Sequence, residues 1–368
     1  SDQVGGFPMV GGRYDPGTNS WQSMSAAGPV GRSLPSAVWT GSRMIVWGGS
    51  DNDTYYNNGG RYDPVADTWS GVASVGQPLA RHLHAAVWTG SEMIVWGGRA
   101  LSGRFSTGGR YDPVANSWQA TSTAGLSPRH FESSAWTGAE WVISGGAADD
   151  QPFAADGSRY DPATDDWTPL PTLDAPSGRQ AATAVWSGNE VIVWGGLGAA
   201  GVLSTGARFD PTLDHWSPTT NTDALSARWL HLAQWTGTEM LTWGGSDGVV
   251  PLADGSRYRP QQNIWAPMSS TNAPSARGGA AAAWTGQRWI LWSGVGASGI
   301  RLPGGAEYDP SQNTWTPLPP AAEPAPRANA GAVWAGSRMF VFGGDFATGD
   351  VTATGGLYDP VTHLWQLL

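Results

Sequence analysis

Eight near-copies of one phrase constrain this chain more than any other feature. Each has a small-residue pair, an aromatic residue, usually Asp-Pro, and then a tryptophan, as in "GGRYDPVADTW" (Gly59–Trp69). The aromatic residue falls at Tyr14, Tyr62, Tyr111, Tyr160, Phe209, Tyr258, Tyr308 and Tyr358, so successive copies lie 48, 49, 49, 49, 49, 50 and 50 residues apart. No stretch sustains a 3.6-residue apolar rhythm, and Gly or Pro interrupts the longer apolar runs. A period near 50 with that texture predicts a series of small β-sheets rather than a helical solenoid.

One period reads as four strands. In the copy after Arg81, "HLHAAVW" (His82–Trp88) is a first strand and "TGSE" (Thr89–Glu92) a tight turn whose glycine supplies a positive φ. "MIVWGG" (Met93–Gly98) is a β-branched and aromatic second strand, stopped by its glycine pair. "GGRYD" (Gly108–Asp112) is a third, "PVANS" a turn, and "WQAT" opens a fourth. Connections this short make sequential strands antiparallel neighbours.

Tryptophan marks the same frame. Of 23 Trp, 20 occupy three repeating slots: the end of the first strand (Trp39 to Trp334), the end of the second (Trp47, Trp96, Trp194, Trp243, Trp292) and the start of the fourth (Trp21 to Trp365). An indole buries roughly 150–250 Å², a gross 4–6 kcal/mol at about 25 cal/mol/Å². Slots filled this regularly are expected to pack one sheet on the next.

Together, the glycine pair after an apolar strand, the Tyr-Asp-Pro turn, the Trp about six residues later and the Arg opening the next period resemble the kelch repeat. The resemblance implies an all-β fold: a kelch-type β-propeller in which residues 32–368 form seven complete four-stranded blades and residues 1–31 an N-terminal partial blade, one domain over 1–368. An eight-position ring is favoured, with a closed seven-bladed ring and a peripheral hairpin as the alternative. "DQVGG" (Asp2–Gly6) reads as a clipped second strand of the partial blade. Its open edge is the expected place for self-association or strand addition.

Composition excludes some functions. The chain has 20 Arg, no Lys and 30 acidic residues, a net −10, which argues against a nucleic-acid binder. No run is apolar enough for a membrane-spanning helix, and no secretion signal begins at Ser1. With no Cys there is neither a disulfide nor a thiol nucleophile. Neither a metal motif nor a cofactor motif is present, and no catalytic set can be assigned. By resemblance to Trp-rich bacterial kelch arrays, an extracellular or cell-surface location is expected.

In such a meander, the second-to-third loops and the blade-to-blade loops share one face. The former vary from period to period, and Tyr55, Tyr56, Arg104, Phe105 and Arg301 among them are candidate ligand-binding residues. An arginine opens every first strand, and Arg81, Arg129 and Arg228 are candidates for gripping an acidic ligand, as arginines near this mouth do in kelch proteins. A carbonyl clamp or an ion pair is the structural alternative. A second series (Arg13, Arg61, Arg110, Arg159, Arg208, Arg257) reads as structural. The first strands themselves supply His82, His84, His130, Glu132, Trp229 and His231, of which His82, His130, Glu132 and Trp229 are candidate ligand contacts.

The expected function is a non-catalytic binding or scaffolding propeller that recognises a protein or glycan through its loop face. Two alternatives stay open: an enzyme resembling kelch sialic-acid mutarotases, acting on an acidic sugar, and a structural self-assembling subunit.

Overall fold

A computed structural model of the chain describes residues 12–15, 20–51, 54–123, 125–348, 352 and 354–367. Among them are seven four-stranded antiparallel sheets, each in sequential strand order. They are called here blade 1 (36–71), blade 2 (85–120), blade 3 (133–169), blade 4 (183–218), blade 5 (232–267), blade 6 (281–317) and blade 7 (331–367). A two-stranded hairpin, Gly12–Asp15 with Ser20–Ser23, precedes them. The helical content among these residues is one 3-10 turn at Ala297–Gly299.

The chain divides into two compact units, 1–172 with 178–180 and 173–177 with 181–368. The first holds the hairpin and blades 1 to 3, the second blades 4 to 7. Within each, second strands such as Met93–Trp96 and Val191–Trp194 are buried at every residue, because both faces of the sheet are covered by neighbours.

Three contacts join consecutive blades inside a unit. The second-strand Trp meets the fourth-strand Trp of the next blade: Trp47 with Trp118, Trp96 with Trp167, Trp194 with Trp265, Trp243 with Trp315 and Trp292 with Trp365, at ring separations of 5.2–5.9 Å. Next, the second glycine of the pair donates its N–H to the carbonyl of the following arginine, as Gly49 does to Arg81 and Gly196 to Arg228, both at 2.9 Å.

The third contact is an Asp or Asn five residues after the third-strand aromatic residue, a position that His363 takes in blade 7. Tyr111 donates to Asn116 Oδ1 at 2.6 Å, and the same oxygen accepts the N–H of Ala73, just past the last strand of blade 1, at 3.0 Å. Asn116 holds a φ of +51°, a conformation that Asn and Asp tolerate better than most residues.

The hairpin repeats this pattern on blade 1. Arg13 donates to the Pro64 carbonyl, as Arg61 does to Pro113 at 2.8 Å. Ser25 N–H donates to Asp67 Oδ1 at 3.2 Å, as Ala73 does to Asn116. The hairpin thus bears on blade 1 as a blade does on its successor. The residues read as its second strand, Asp2–Gly6, lie outside the described ones.

First strands begin later than the alternation suggests. Blade 2 opens at Ala85, not His82, because Leu83 has a φ of +53° and breaks the extended run. The residue two after the arginine is left-handed at every blade entrance: Leu34, Leu83, Phe131, Ala181, Leu230, Gly279 and Asn329.

Candidate functional site

Each entrance is built on its arginine. Arg81 is fully buried; its Nε donates to Leu79 O at 2.9 Å, and its Nη1 to Gly97 O at 2.9 Å and Thr107 O at 2.7 Å. Its guanidinium also lies 4.3 Å from the Phe105 ring centre. Arg129 binds Ser127 O, Gly145 O and both carboxylate oxygens of Asp156. Arg228 binds Ser226 O, Gly244 O and Asp254. These forked contacts tie the end of the second strand to the start of the third, a role a flexible ammonium could not fill. They also leave Arg81, Arg129 and Arg228 without exposed surface.

The second arginine series sits beside carboxylates and turn carbonyls. Arg110 pairs with Glu92 at 3.0 Å, Arg208 with Glu190 at 3.1 Å, and Arg257 donates to Pro310 O at 3.2 Å.

Three residues after the entrance arginine, a side chain packs over the first glycine of the preceding blade's pair. His84 covers Gly48, Glu132 covers Gly97 and His231 covers Gly195; an added Cβ would lie 2.7, 3.0 and 2.5 Å from them. His231 Nε2 meets Thr183 Oγ1 at 2.9 Å, and His84 Nε2 meets Ser36 Oγ. Burial, reinforced by Arg81 and Arg228 respectively, lowers both imidazoles to about 3, so both are neutral.

Glu132 has no such hydroxyl, since the equivalent residue of blade 2 is Ala85. Both its carboxylate oxygens are shielded from solvent and lack a well-formed hydrogen bond, although the residue as a whole is half-buried. Burial raises it to about 7, against the opposing pull of nearby backbone N–H groups and Arg129.

Beside these slots, blades 2 and 3 gather a polar cluster that holds two arginines, Arg99 and Arg104. Arg104 Nε donates to His130 Nδ1 at 3.0 Å, and its Nη1 pairs with Asp149 at 2.7 Å. Burial, with Arg104 adding to it, lowers His130 to about 4, so the ring is a neutral acceptor. The His82 backbone pairs with Arg99 in both directions. His82 Nδ1 meets Ser50 Oγ at 3.1 Å, the Tyr55 ring stands edge-on to it at 4.9 Å, and its Nε2 is buried without a partner. Arg99 is exposed and has no ion pair among the described residues. Phe131, left-handed and 45% exposed, packs on His130 at 4.5 Å.

The fold therefore brings Tyr55, His82, Arg104 and His130 together in the first unit. Tyr56 instead supports Arg32, whose guanidinium lies 4.4 Å from its ring, and donates to Asp51. In the second unit, Trp229 is half-buried with an unpartnered indole N–H, and Arg301 pairs with Asp345. The sequence reading did not single out Arg99 or Phe131. The "RALSGRFST" loop carries two arginines that flank a turn (Arg99 and Arg104), and this was the available signal for Arg99. Among the described residues, no three His, Asp or Glu side chains converge as a metal site, and no helix is long and apolar enough to cross a membrane.

No curated protein matches the chain. The model of the KLHDC2/KLHL20/DRC7 kelch-repeats domain matches it twice, over residues 12–196 and 142–344. Together with the seven four-stranded blades, this match shows that the chain belongs to the kelch-repeat family of β-propellers, a fold that typically serves as a protein-binding scaffold.

Proposed function

We propose that this propeller is a binding module that holds a protein partner on the loop face of blades 2 and 3, with an acidic segment of the partner against Arg99 and Arg104. The observation that carries this reading is the exposed Arg99 guanidinium, unpaired among the described residues, beside Arg104, His82 and the exposed Phe131 ring. On a chain of net charge −10, an unpaired arginine beside a second arginine favours an acidic segment at this place over the rest of the surface. Phe131 adds the apolar anchor that charge alone does not supply. The buried entrance arginines hold the loops in place and take no direct part.

The reading is tested with an array of acidic and charge-neutral 12-residue peptides, followed by fluorescence anisotropy on the hits. Acidic peptides are expected to bind, more weakly as salt rises, with Arg99→Glu costing at least tenfold in affinity. Binding that ignores peptide charge, or that Arg99→Glu leaves intact, overturns it.

A further inference from the structure

The opposite end of the blades, where the first-to-second and third-to-fourth turns emerge, carries further concavities. That of the first unit is a furrow of about 1130 Å³ running under blades 1 to 3. Its polar lining is internally neutral. Arg43 pairs with Asp63 at 3.7 Å, Arg110 with Glu92 at 3.0 Å, and Arg61 donates to the Pro113 carbonyl at 2.8 Å. With Asp112 included, three arginines face three carboxylates, so a charged ligand gains nothing by entering.

Two tryptophans, Trp88 and Trp136, also line it. Both are half-buried, each packing one side against the blade core. Neither indole N–H has a partner among the described residues, whereas Trp265 and Trp315 donate to Thr220 O at 3.1 Å and Ser269 O at 2.9 Å. The corresponding hollow of the second unit is smaller, about 450 Å³, and carries one tryptophan, Trp284. The hollow under blades 1 to 3 is thus the wider of the two and holds two indoles rather than one.

We propose that this furrow binds a neutral oligosaccharide. A sugar ring offers a C–H face to an indole and hydroxyls at its rim. Planar Arg, Asp and Glu groups can share hydrogen bonds with those hydroxyls without leaving their own ion pairs, since each keeps free donor or acceptor positions. An open, half-polar trough of this size suits an extended chain of sugars better than a compact apolar ligand. The site lies at the other end of the blades from the protein-binding patch and does not depend on it.

The test is titration of the intrinsic tryptophan fluorescence with maltohexaose, cellohexaose and xylohexaose, and with sialyllactose and decaglutamate as charged probes. Ala139→Arg and Ala163→Arg both alter exposed turn residues that line the furrow, so each blocks it without touching the blade core. Saturable binding of at least one neutral hexasaccharide is expected, weakened at least tenfold by either variant and unchanged by Arg99→Glu. Failure of all three hexasaccharides, a preference for a charged probe, or indifference to both blocking variants overturns the proposal. None of these outcomes bears on peptide binding at the loop face.

Discussion

Trp47 of blade 1 lies against Trp118 of blade 2 with ring centres 5.3 Å apart, and Trp118 in turn meets Tyr111 of its own blade at 5.0 Å. One indole thus bonds two sheets while bracing its own. The relationship recurs at every blade pair described within a unit, and it makes the blades interdependent rather than beads on a string.

Truncating that contact is expected to be expensive. Trp118→Ala removes a side chain in contact with both blades, and large-to-small changes of this kind cost about 3–5 kcal/mol. Trp39, 54% exposed at the end of its first strand, is expected to cost under about 2 kcal/mol when changed to Ala. Urea unfolding of the two variants checks the ordering, and equal losses would contradict it.

Asn116 separates conformation from hydrogen bonding. Its side chain accepts from Tyr111 and from the Ala73 N–H, and its backbone is left-handed. Asn116→Gly loses the bonds but relieves the φ, whereas Asn116→Ala loses the bonds and keeps the strain. The Ala variant is expected to lie about 1 kcal/mol below the Gly variant, and both below the wild type. Faster hydrogen exchange at the Ala73 amide in both variants would locate the loss at the joint between blades 1 and 2.

Glu132 is expected to make stability pH-dependent near neutrality. Its folded value of about 7 stands above the ordinary 4.5, so between the two the folded chain holds a proton that the unfolded chain releases. The stabilisation is complete below the unfolded value and is lost as pH rises through 7, a swing of roughly 3 kcal/mol. The charge that opposes the shift is the Arg129 guanidinium, which Asp156 already pairs. Glu132→Gln removes the swing, so the variant should gain on the wild type between pH 5 and pH 8. His84 and His231 act in the opposite sense. With folded values near 3, they contribute stability above pH 6.5 that fades as pH falls toward 3, equally in both proteins. Denaturant titrations at several pH values that show parallel curves for the two proteins would refute the assignment.

Much of the blade was readable in one dimension. The period, the four-strand meander and the indole slots follow from residue spacing, and the structure places the second- and fourth-strand Trp side by side as that spacing predicts. Strand starts were less legible. The alternation in "HLHAAVW" continues through Leu83, yet the backbone there turns left-handed because the Arg81 clamp and the His82–Arg99 pairing hold the entrance. Leucine gives no local sign of that. The candidate site was partly legible: Tyr55, His82, Arg104 and His130 came together, while Arg99 and Phe131 were visible only as one more loop arginine and one more apolar residue.

The chain's own order of residues decided the repeating sheet and its cement, because both rest on contacts whose partners recur at a fixed interval of about 49 residues. What no single period could reveal is the state of an individual side chain at a joint. His84 finds Ser36 and His231 finds Thr183, each 48 positions earlier, but Glu132 meets Ala85, which has no side-chain hydroxyl to offer it. The charge of a buried group depends on what the neighbouring sheet brings to it, and only the packed structure determines that.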